Sequence, residues 1–409
     1  MGQVGIPLVA TNRINTPQLA EQLLASGACD MISMARPFLA DADFVRKARE
    51  NRSADINTCI ACNQACLDHA FQNRIASCLV NPRACHETEL VIRPASTRQR
   101  AAVVGAGPAG LAAACTLAER GFEVHLFESA AQIGGQFNMA RTIPGKEEFD
   151  ETLRYFAHRL QTLGVVQHLG QRASAEQLAA GGFAQVVLAT GVTPRDPRIP
   201  GQDHPAVLSY IDVLLHHKPV GQRVGIIGAG GIGFDVAEYL AHGTDRGHPS
   251  TTTDLAAWLR EWGVADPEQH RGGVVRPQPE AAARDVTLLQ RKAGKHGAGL
   301  GKTTGWIHRA ALKMKGVQML SGVNYERITD GGSGGGLGLF VTFGPQHQDG
   351  TVLAFDNLVL CAGQEPLRDL QAPLLAAGVN VHLAGGALEA GELDAKRAID
   401  QGTRLAAGL

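Results

Sequence analysis

Twice along this chain an unbroken apolar run enters a Gly-x-Gly-x-x-Gly turn and then a helix. The first copy is Ala101-Ala102-Val103-Val104, then Gly105-Ala106-Gly107-Pro108-Ala109-Gly110, then a helix over residues 111–120. The second is Arg223-Val224-Gly225-Ile226-Ile227, then Gly228-Ala229-Gly230-Gly231-Ile232-Gly233, then a helix to about residue 241. An apolar run without polar alternation reads as a strand buried on both faces, as in a parallel sheet covered by helices. The turn needs glycine for three reasons: a tight reversal, backbone approach to a pyrophosphate, and close contact between helix and strand. The helix start then presents unpaired N–H groups and roughly half a positive charge to the phosphates. A lone motif of this kind is weak, but each copy here has the strand before it and the helix after it that the chemistry requires. The sequence predicts an α/β chain with two tandem Rossmann-like dinucleotide-binding domains.

The strand after each turn distinguishes the two nucleotides. In the first domain that strand, residues 123–127, ends at Glu128, a carboxylate that accepts hydrogen bonds from a ribose diol and disfavours a 2′-phosphate. FAD or NAD is therefore expected against Gly105, Gly107 and Gly110. The matching strand of the second domain reads Val286-Thr287-Leu288-Leu289-Gln290-Arg291-Lys292. Arg291 can clamp a 2′-phosphate with a bidentate fork and Lys292 adds a point charge, so NADPH is expected against Gly228, Gly230 and Gly233. Two further apolar runs, residues 186–191 before Pro194 and 358–363 before Pro366, read as strands that end at crossings between the domains. A Thr-, Pro- and Gly-rich insert over 242–285 interrupts the second domain and carries a short helix over 255–262. The run 331–336 reads as a flexible hairpin or loop. Gly301-Lys302-Thr303 has the ending of a P-loop, but His296 stands where its first glycine belongs, so 299–309 reads as a turn entering a helix.

Four of the eight cysteines are crowded into Cys59-x2-Cys62-x3-Cys66-x11-Cys78. Four thiolates suit tetrahedral zinc or an iron–sulfur cluster. Structural zinc more often uses two separated Cys-x2-Cys knuckles. The compact three-plus-one arrangement beside a flavin-type domain favours a [4Fe–4S] cluster over zinc or chance crowding. Cys29, Cys85, Cys115 and Cys361 lie outside this spacing and are expected as core residues.

Charge excludes other functions. With 38 basic and 39 acidic residues the net charge is −1, so no basic field is available to hold a nucleic acid. No apolar run approaches the roughly 18 residues of a membrane span, and no leader pattern opens the chain. A cytoplasmic protein without nucleic-acid or membrane partners is expected.

These residues resemble the bacterial NADPH-dependent 2,4-dienoyl-CoA reductases, within the old-yellow-enzyme-like iron–sulfur flavoenzymes. The specific stretches are Cys59-Ile60-Ala61-Cys62-Asn63-Gln64-Ala65-Cys66-Leu67-Asp68 and Ser77-Cys78-Leu79-Val80-Asn81-Pro82-Arg83-Ala84-Cys85. Ile133-Gly134-Gly135-Gln136-Phe137-Asn138, Ile143-Pro144-Gly145-Lys146-Glu147-Glu148-Phe149 and Gly301-Lys302-Thr303-Thr304-Gly305-Trp306 add to them. The likeness runs from about residue 7 to the C-terminus. It implies a TIM barrel with FMN, then the cluster, then an FAD domain interrupted by an NADPH domain. It also implies reduction of 2,4-dienoyl-CoA in the β-oxidation of unsaturated acyl groups. Electrons would run from NADPH to FAD, singly through the cluster, and on to FMN, since only the flavins gather two. The implied division is 1–50 as barrel remnant, 51–97 as cluster segment, 98–205 and 351–409 as the two parts of the FAD domain, and 206–350 as the NADPH domain.

The same resemblance places FAD against Gly105, Gly107, Gly110, Glu128, Gly135, Gln136, Gly191, Gly385 and Gly386, and iron on Cys59, Cys62, Cys66 and Cys78. Arg13, Ala35 and Arg36 follow what look like the last two barrel strands, where this fold commonly binds phosphate, and would hold that of FMN. The sequence departs from the family twice. Ala387 and Leu388 stand where related flavin domains commonly carry an Asp. Only two βα units (strands over 6–10 and 30–34, helices over 17–25 and 40–50) precede the cysteines, where a barrel needs eight strands and about 250 residues. The family's catalytic Tyr and His, on earlier strands, have no counterpart here. The chain thus reads as the electron-input, C-terminal part of such an enzyme, with the missing barrel portion as its partner. Residues 1–50 are expected to expose apolar surface and to hold FMN only in a completed barrel. Alone, the chain is expected to act as a diaphorase. Two alternatives stand: an enoate reductase or amine dehydrogenase on the same frame, and a non-enzymatic nucleotide- and zinc-binding module. Amine dehydrogenases of this type do not need NADPH, so Arg291 and Lys292 count against them.

Overall fold

Each glycine turn grows from the middle strand of a five-stranded parallel sheet. In the computed structural model, which describes residues 5–243, 251–331, 336–391 and 394–409, the first sheet has the order Val381–Leu383, Gln185–Leu188, Arg100–Val104, Glu123–Phe127, Val166–His168. The second has the order Gln318–Ser321, Asp285–Gln290, Arg223–Ile227, Asn357–Leu360, Val207–Ser209. Every pairing is parallel. Ala101, Ala102 and Val103 are fully buried, as the unbroken apolar run requires. In both sheets the next two strands build out on one side of the middle strand, and the chain later returns to pair on the other. The glycine turn therefore sits at a switch point, where such sheets bind ligands beyond the carboxyl ends of their strands.

The sheets belong to two compact units. One comprises Met1–Phe137, Glu148–Thr193 and Glu365–Leu409, the other Asn138–Glu147 and Pro194–Gln364. The crossings thus fall at 193/194 and 364/365, where the apolar runs before Pro194 and Pro366 end, and not at the 205/206 and 350/351 of the division that the resemblance implied. The strand Asn357–Leu360 is hydrogen-bonded beside Arg223–Ile227 and cannot leave the second unit. The second unit also carries an antiparallel three-stranded sheet, Val323–Asp330, Leu337–Phe343 and Gln348–Phe355. The insert's helix Leu255–Trp262 is present, capped by the Asp254 side chain, which accepts from the Ala257 amide. Part of the insert (244–250) and most of the glycine run (332–335) lie outside the described residues.

In the first unit the segment 51–97 has little regular structure, yet Ile60, Leu79 and Val80 join the core that also holds Leu111, Leu117 and Ile399. The helix Ala395–Gly408 packs against the first glycine helix, Pro108–Glu119, so closely that a Cβ on Gly402 would lie 2.2 Å from the Ala109 carbonyl oxygen. The two N-terminal βα units are slighter than expected: parallel strands of two residues each, Val9–Ala10 and Met31–Ile32. The helix expected over 40–50 is two, Arg36–Ala40 and Phe44–Arg49. They part at Asp41, whose buried carboxylate accepts from the Asn57 amide at 2.9 Å and pairs with Lys47. Ile6, Val9, Met31 and Val45 are more than half exposed, the apolar surface expected of this segment. Among the described residues no helix is long and apolar enough to cross a membrane.

The third glycine of each turn is the tightest point of each unit. A Cβ on Gly110 would lie 1.8 Å from the Gly105 carbonyl oxygen, and one on Gly233 would lie 1.9 Å from that of Gly228, whereas nothing lies within 4 Å of a Cβ on Gly230. Gly110→Ala and Gly233→Ala should each destabilise the unit that carries them by at least the ~1–3 kcal/mol of an overpacked core, while Gly230→Ala leaves it intact. Thermal unfolding of the ligand-free protein measures this; unchanged melting of the first two variants would contradict the packing described.

Candidate functional site

The first turn gathers four pieces of chain around the start of the Pro108–Glu119 helix. Gly105 takes φ +102°, and a Cβ there would lie 2.3 Å from the Ala189 carbonyl oxygen, so the turn abuts residues 189–191 at the end of the neighbouring strand. Gly107 faces Gly135: a Cβ on Gly135 would lie 2.9 Å from the Gly107 Cα. The Gly134 amide donates to the Ala106 carbonyl at 2.8 Å, which locks the two turns together. Gly385 closes the other side, where its Cβ would lie 2.7 Å from that of Ala109. This is a cradle of bare backbone at a helix N-terminus, which fits a dinucleotide pyrophosphate. Gln136 is half-buried beside it. The Gly191 carbonyl accepts from Leu367, and the neighbouring Thr190 hydroxyl donates to the Leu367 carbonyl, pinning that rim.

Glu128 sits over the same turn. Its Oε2 accepts from the Ala106 amide and its Oε1 from the Ala130 amide, each at 2.8 Å. The carboxylate braces the loop and keeps lone pairs for a ribose diol. At the opposite rim Ala387 is fully buried, so a methyl group fills the place where related flavin domains commonly carry an Asp. Arg368 holds the rim by donating to the carbonyls of Ala387 and Leu388. The Gly385 amide is committed to Gln401 Oε1 at 2.9 Å, which leaves Gly386 as the member of that pair with an amide to offer. Sequence reasoning missed Arg368 and Gln401; both lie far along the chain, and only the folded contact reveals them.

The second turn repeats the first. Gly228 takes φ +114°, and its Cβ would lie 2.2 Å from the Cys361 carbonyl oxygen at the end of the adjacent strand. Gly230 begins the helix Gly231–His242 from an extended backbone. The register shows which residue replaces the ribose-binding acid. The Gly105 amide donates to Phe127, just before Glu128, and the Gly228 amide donates to Leu289, just before Gln290. Gln290 thus holds the position of Glu128. Its side-chain amide donates to the Lys292 carbonyl at 2.8 Å, while the exposed Arg291 and Lys292 follow directly. A neutral amide followed by two cations neither repels a 2′-phosphate nor supplies the acid that grips a free 2′-hydroxyl.

Cys59, Cys62, Cys66 and Cys78 line one small cavity of about 20 Å³, walled by Ile60, Ala61, Leu79 and Val80. The loop is held by the Ser77 amide on the Ala65 carbonyl at 2.7 Å and by Asn15 on the Cys59 carbonyl at 3.0 Å. All four cysteines are free thiols. Burial raises the Cys59 thiol and pushes those of Cys62 and Cys78 up to about 12, so thiolates here call for a cationic centre. Among the described residues no three His, Cys, Asp or Glu side chains are placed to hold one metal ion. Four cysteines on one small cavity suit, by their donor chemistry, a thiolate-held metal centre, zinc or iron–sulfur. Of the other cysteines, Cys29, Cys115 and Cys361 are buried as expected; Cys85 is exposed, because it turns at φ 62° on the surface side of its loop.

The three residues expected at an FMN phosphate follow two neighbouring parallel strands, Val9–Ala10 and Met31–Ile32. Arg13 makes a two-pronged ion pair with Glu148, at 3.1 and 3.3 Å. Arg36 lines the cysteine cavity and donates to Asn63 at 2.7 Å. Ala35 precedes the short helix Arg36–Ala40. Each guanidinium has a protein partner, a carboxylate for Arg13 and an amide oxygen for Arg36.

Known proteins resemble both the short N-terminal part of the chain and the larger part behind it. Residues 99–389 match the family described as pyridine nucleotide-disulphide oxidoreductase. Residues 1–55 match the NADH:flavin oxidoreductase / NADH oxidase family. The chain is 33% identical over 393 residues to a metal reductase of Desulforamulus reducens, covering 94% of this chain and 55% of that protein. It is 38% identical over 239 residues to a bilirubin reductase of Mediterraneibacter gnavus, covering 58% of this chain and 37% of that one. Among solved structures, a 2-naphthoyl-CoA reductase in complex with 2-naphthoyl-CoA is similar over 100% of this chain and 55% of its own, with a TM-score of 0.83 and 27% identity. The chain therefore spans about half, or less, of the length of the relatives it matches.

Glu128 offers a direct test of this geometry. Glu128→Ala strips the Ala106 and Ala130 amides of their acceptor, so it should cost about 1–3 kcal/mol of stability in the ligand-free protein and weaken retention of bound flavin. Chemical denaturation with and without FAD measures both; a variant indistinguishable from wild type in each would contradict the bracing role.

Proposed function

The chain belongs to the pyridine nucleotide-disulphide oxidoreductase family, and from that premise we propose that it is the electron-input part of an NADPH-dependent reductase of the 2,4-dienoyl-CoA reductase type. The two family matches and the reductases it resembles make it a flavin oxidoreductase. One observation carries the finer reading: the four cysteines share a cavity in the unit that also holds the first glycine turn. FAD, when bound, supplies a hydride-accepting ring, and a [4Fe–4S] centre supplies one-electron transfer. FAD is held by the backbone of Gly105, Gly107, Gly110, Gly135 and Gly386, with Glu128 on its ribose and Gln136 and Gly191 at the rim. Cys59, Cys62, Cys66 and Cys78 hold the cluster as thiolates, and the apolar wall excludes water from it.

In the second unit Gly228, Gly230 and Gly233 receive the pyrophosphate of NADPH, and Arg291 with Lys292 receives its 2′-phosphate. An acyl-CoA carrying conjugated double bonds is the substrate class favoured by the likeness to 2-naphthoyl-CoA reductase. Arg13, Ala35 and Arg36 reach an FMN phosphate only once further βα units cover the exposed Ile6, Val9 and Met31, and Arg13 must then exchange its Glu148 pair for phosphate. Until then the chain alone reduces artificial acceptors and not dienoyl-CoA.

Anaerobically purified protein should show flavin bands near ~450 nm over a broad shoulder near ~400 nm, and Ser at any of the four cavity cysteines should remove the shoulder and the iron while Cys115→Ser keeps both. A colourless protein carrying zinc would overturn the reading. Replacing Arg291 and Lys292 together by Ala should lower the NADPH-to-NADH ratio of kcat/KM about 10- to 100-fold, the value of one or two lost charged hydrogen bonds. A ratio that does not move would remove NADPH from the second turn.

A further inference from the structure

A second cavity of the first unit, about 370 Å³, adjoins the cysteine cavity and shares Ala65, Ser77 and Cys78 with it. One wall is the cysteine segment, through Ala65, Ser77, Cys78 and Pro82; the other is one flank of the helix Ala395–Gly408. Its volume falls within the range of small-molecule sites.

Its charges do not balance. Arg74, Lys396, Arg397 and Arg404 line it against two carboxylates, Asp394 and Asp400, with His69 and His86 completing the polar surface. Both carboxylates are already engaged. Asp394 caps the helix by accepting from the Arg397 amide at 2.7 Å, and Asp400 accepts from Arg404 Nε at 2.7 Å. The cations are less well served. The Lys396 ammonium reaches His69 Nε2 at 3.5 Å, which is no anion. Arg397 holds the Glu389 carbonyl at 2.9 Å and its carboxylate at 3.3 Å, yet its Nε is a buried N–H without an acceptor. Arg74 makes no side-chain hydrogen bond or ion pair among the described residues.

Like charges gathered around one cavity repel, and a buried donor without an acceptor costs free energy. A ligand with several oxyanion acceptors answers the repulsion, and guanidinium forks beside an ammonium are the side chains that suit phosphate oxygens. We propose that this cavity binds a phosphorylated small molecule, held by Arg74, Lys396 and Arg397. The site is separate from both glycine turns, though Cys78 and Ser77 form part of its wall.

Calorimetric titration tests it on the full chain, first saturated with FAD and NADP+ so that other phosphate sites are filled. The probes are inorganic pyrophosphate and adenosine 3′,5′-bisphosphate. Binding of both with equal affinity supports a site for the free oxyanion; tighter binding of the bisphosphate supports a nucleotide-borne phosphate. The double variant Arg74→Gln/Lys396→Gln should weaken binding at least about tenfold, as loss of a charged hydrogen bond implies. If the glutamine pair fails to fold, Arg74→Gln alone, on an exposed side chain, must weaken binding by the same criterion. Neither probe binding, or a folded glutamine variant binding as tightly as wild type, overturns the proposal.

Discussion

Two contacts with no room for a side chain govern this molecule: Gly110 against the Gly105 carbonyl and Gly233 against that of Gly228. Each lets a helix start directly beyond the carboxyl end of the middle strand of a parallel sheet. That places unpaired N–H groups at the switch point between neighbouring strands, where a pyrophosphate is best received. Everything around the turns serves the same geometry. Gly135 meets Gly107 backbone to backbone, Glu128 ties down the Ala106 amide, and Gly402 lets the last helix press on the first.

The two units use one plan and differ where the ligands should differ. The first ends its second strand in a carboxylate; the second has Gln290 at the same register, followed by two exposed cations. The cysteine segment has little helix or strand of its own. It is held by apolar anchors, Ile60, Leu79 and Val80, in the core beneath the first turn. That arrangement puts four half-buried thiols on one cavity, and burial raises those of Cys59, Cys62 and Cys78, which a positive centre would offset.

Local chemistry was legible wherever neighbours in sequence are neighbours in space. The glycine turns, the insert's helix and the cysteine spacing are of that kind. Long-range pairing was not. The equivalence of Gln290 with Glu128 rests on sheet register, and the roles of Gln401 and Arg368 rest on contacts with residues distant from each along the chain. The unit boundary was misplaced because the strand Asn357–Leu360 has the same apolar pattern as Gln185–Leu188 but pairs in the other sheet. The broken helix at Asp41 depends on a buried carboxylate whose partner, Asn57, lies beyond the helix, and the exposure of Cys85 depends on a loop whose backbone carries no periodic signal.

Central to this account is the proposal of a polynuclear iron centre on Cys59, Cys62, Cys66 and Cys78, in the unit that carries the first glycine turn. Anomalous diffraction at the iron absorption edge, from crystals grown without oxygen, tests it most directly. The account predicts a compact group of iron peaks inside the cysteine cavity. A lone peak at the zinc edge, or no anomalous signal between those sulfurs, would contradict it.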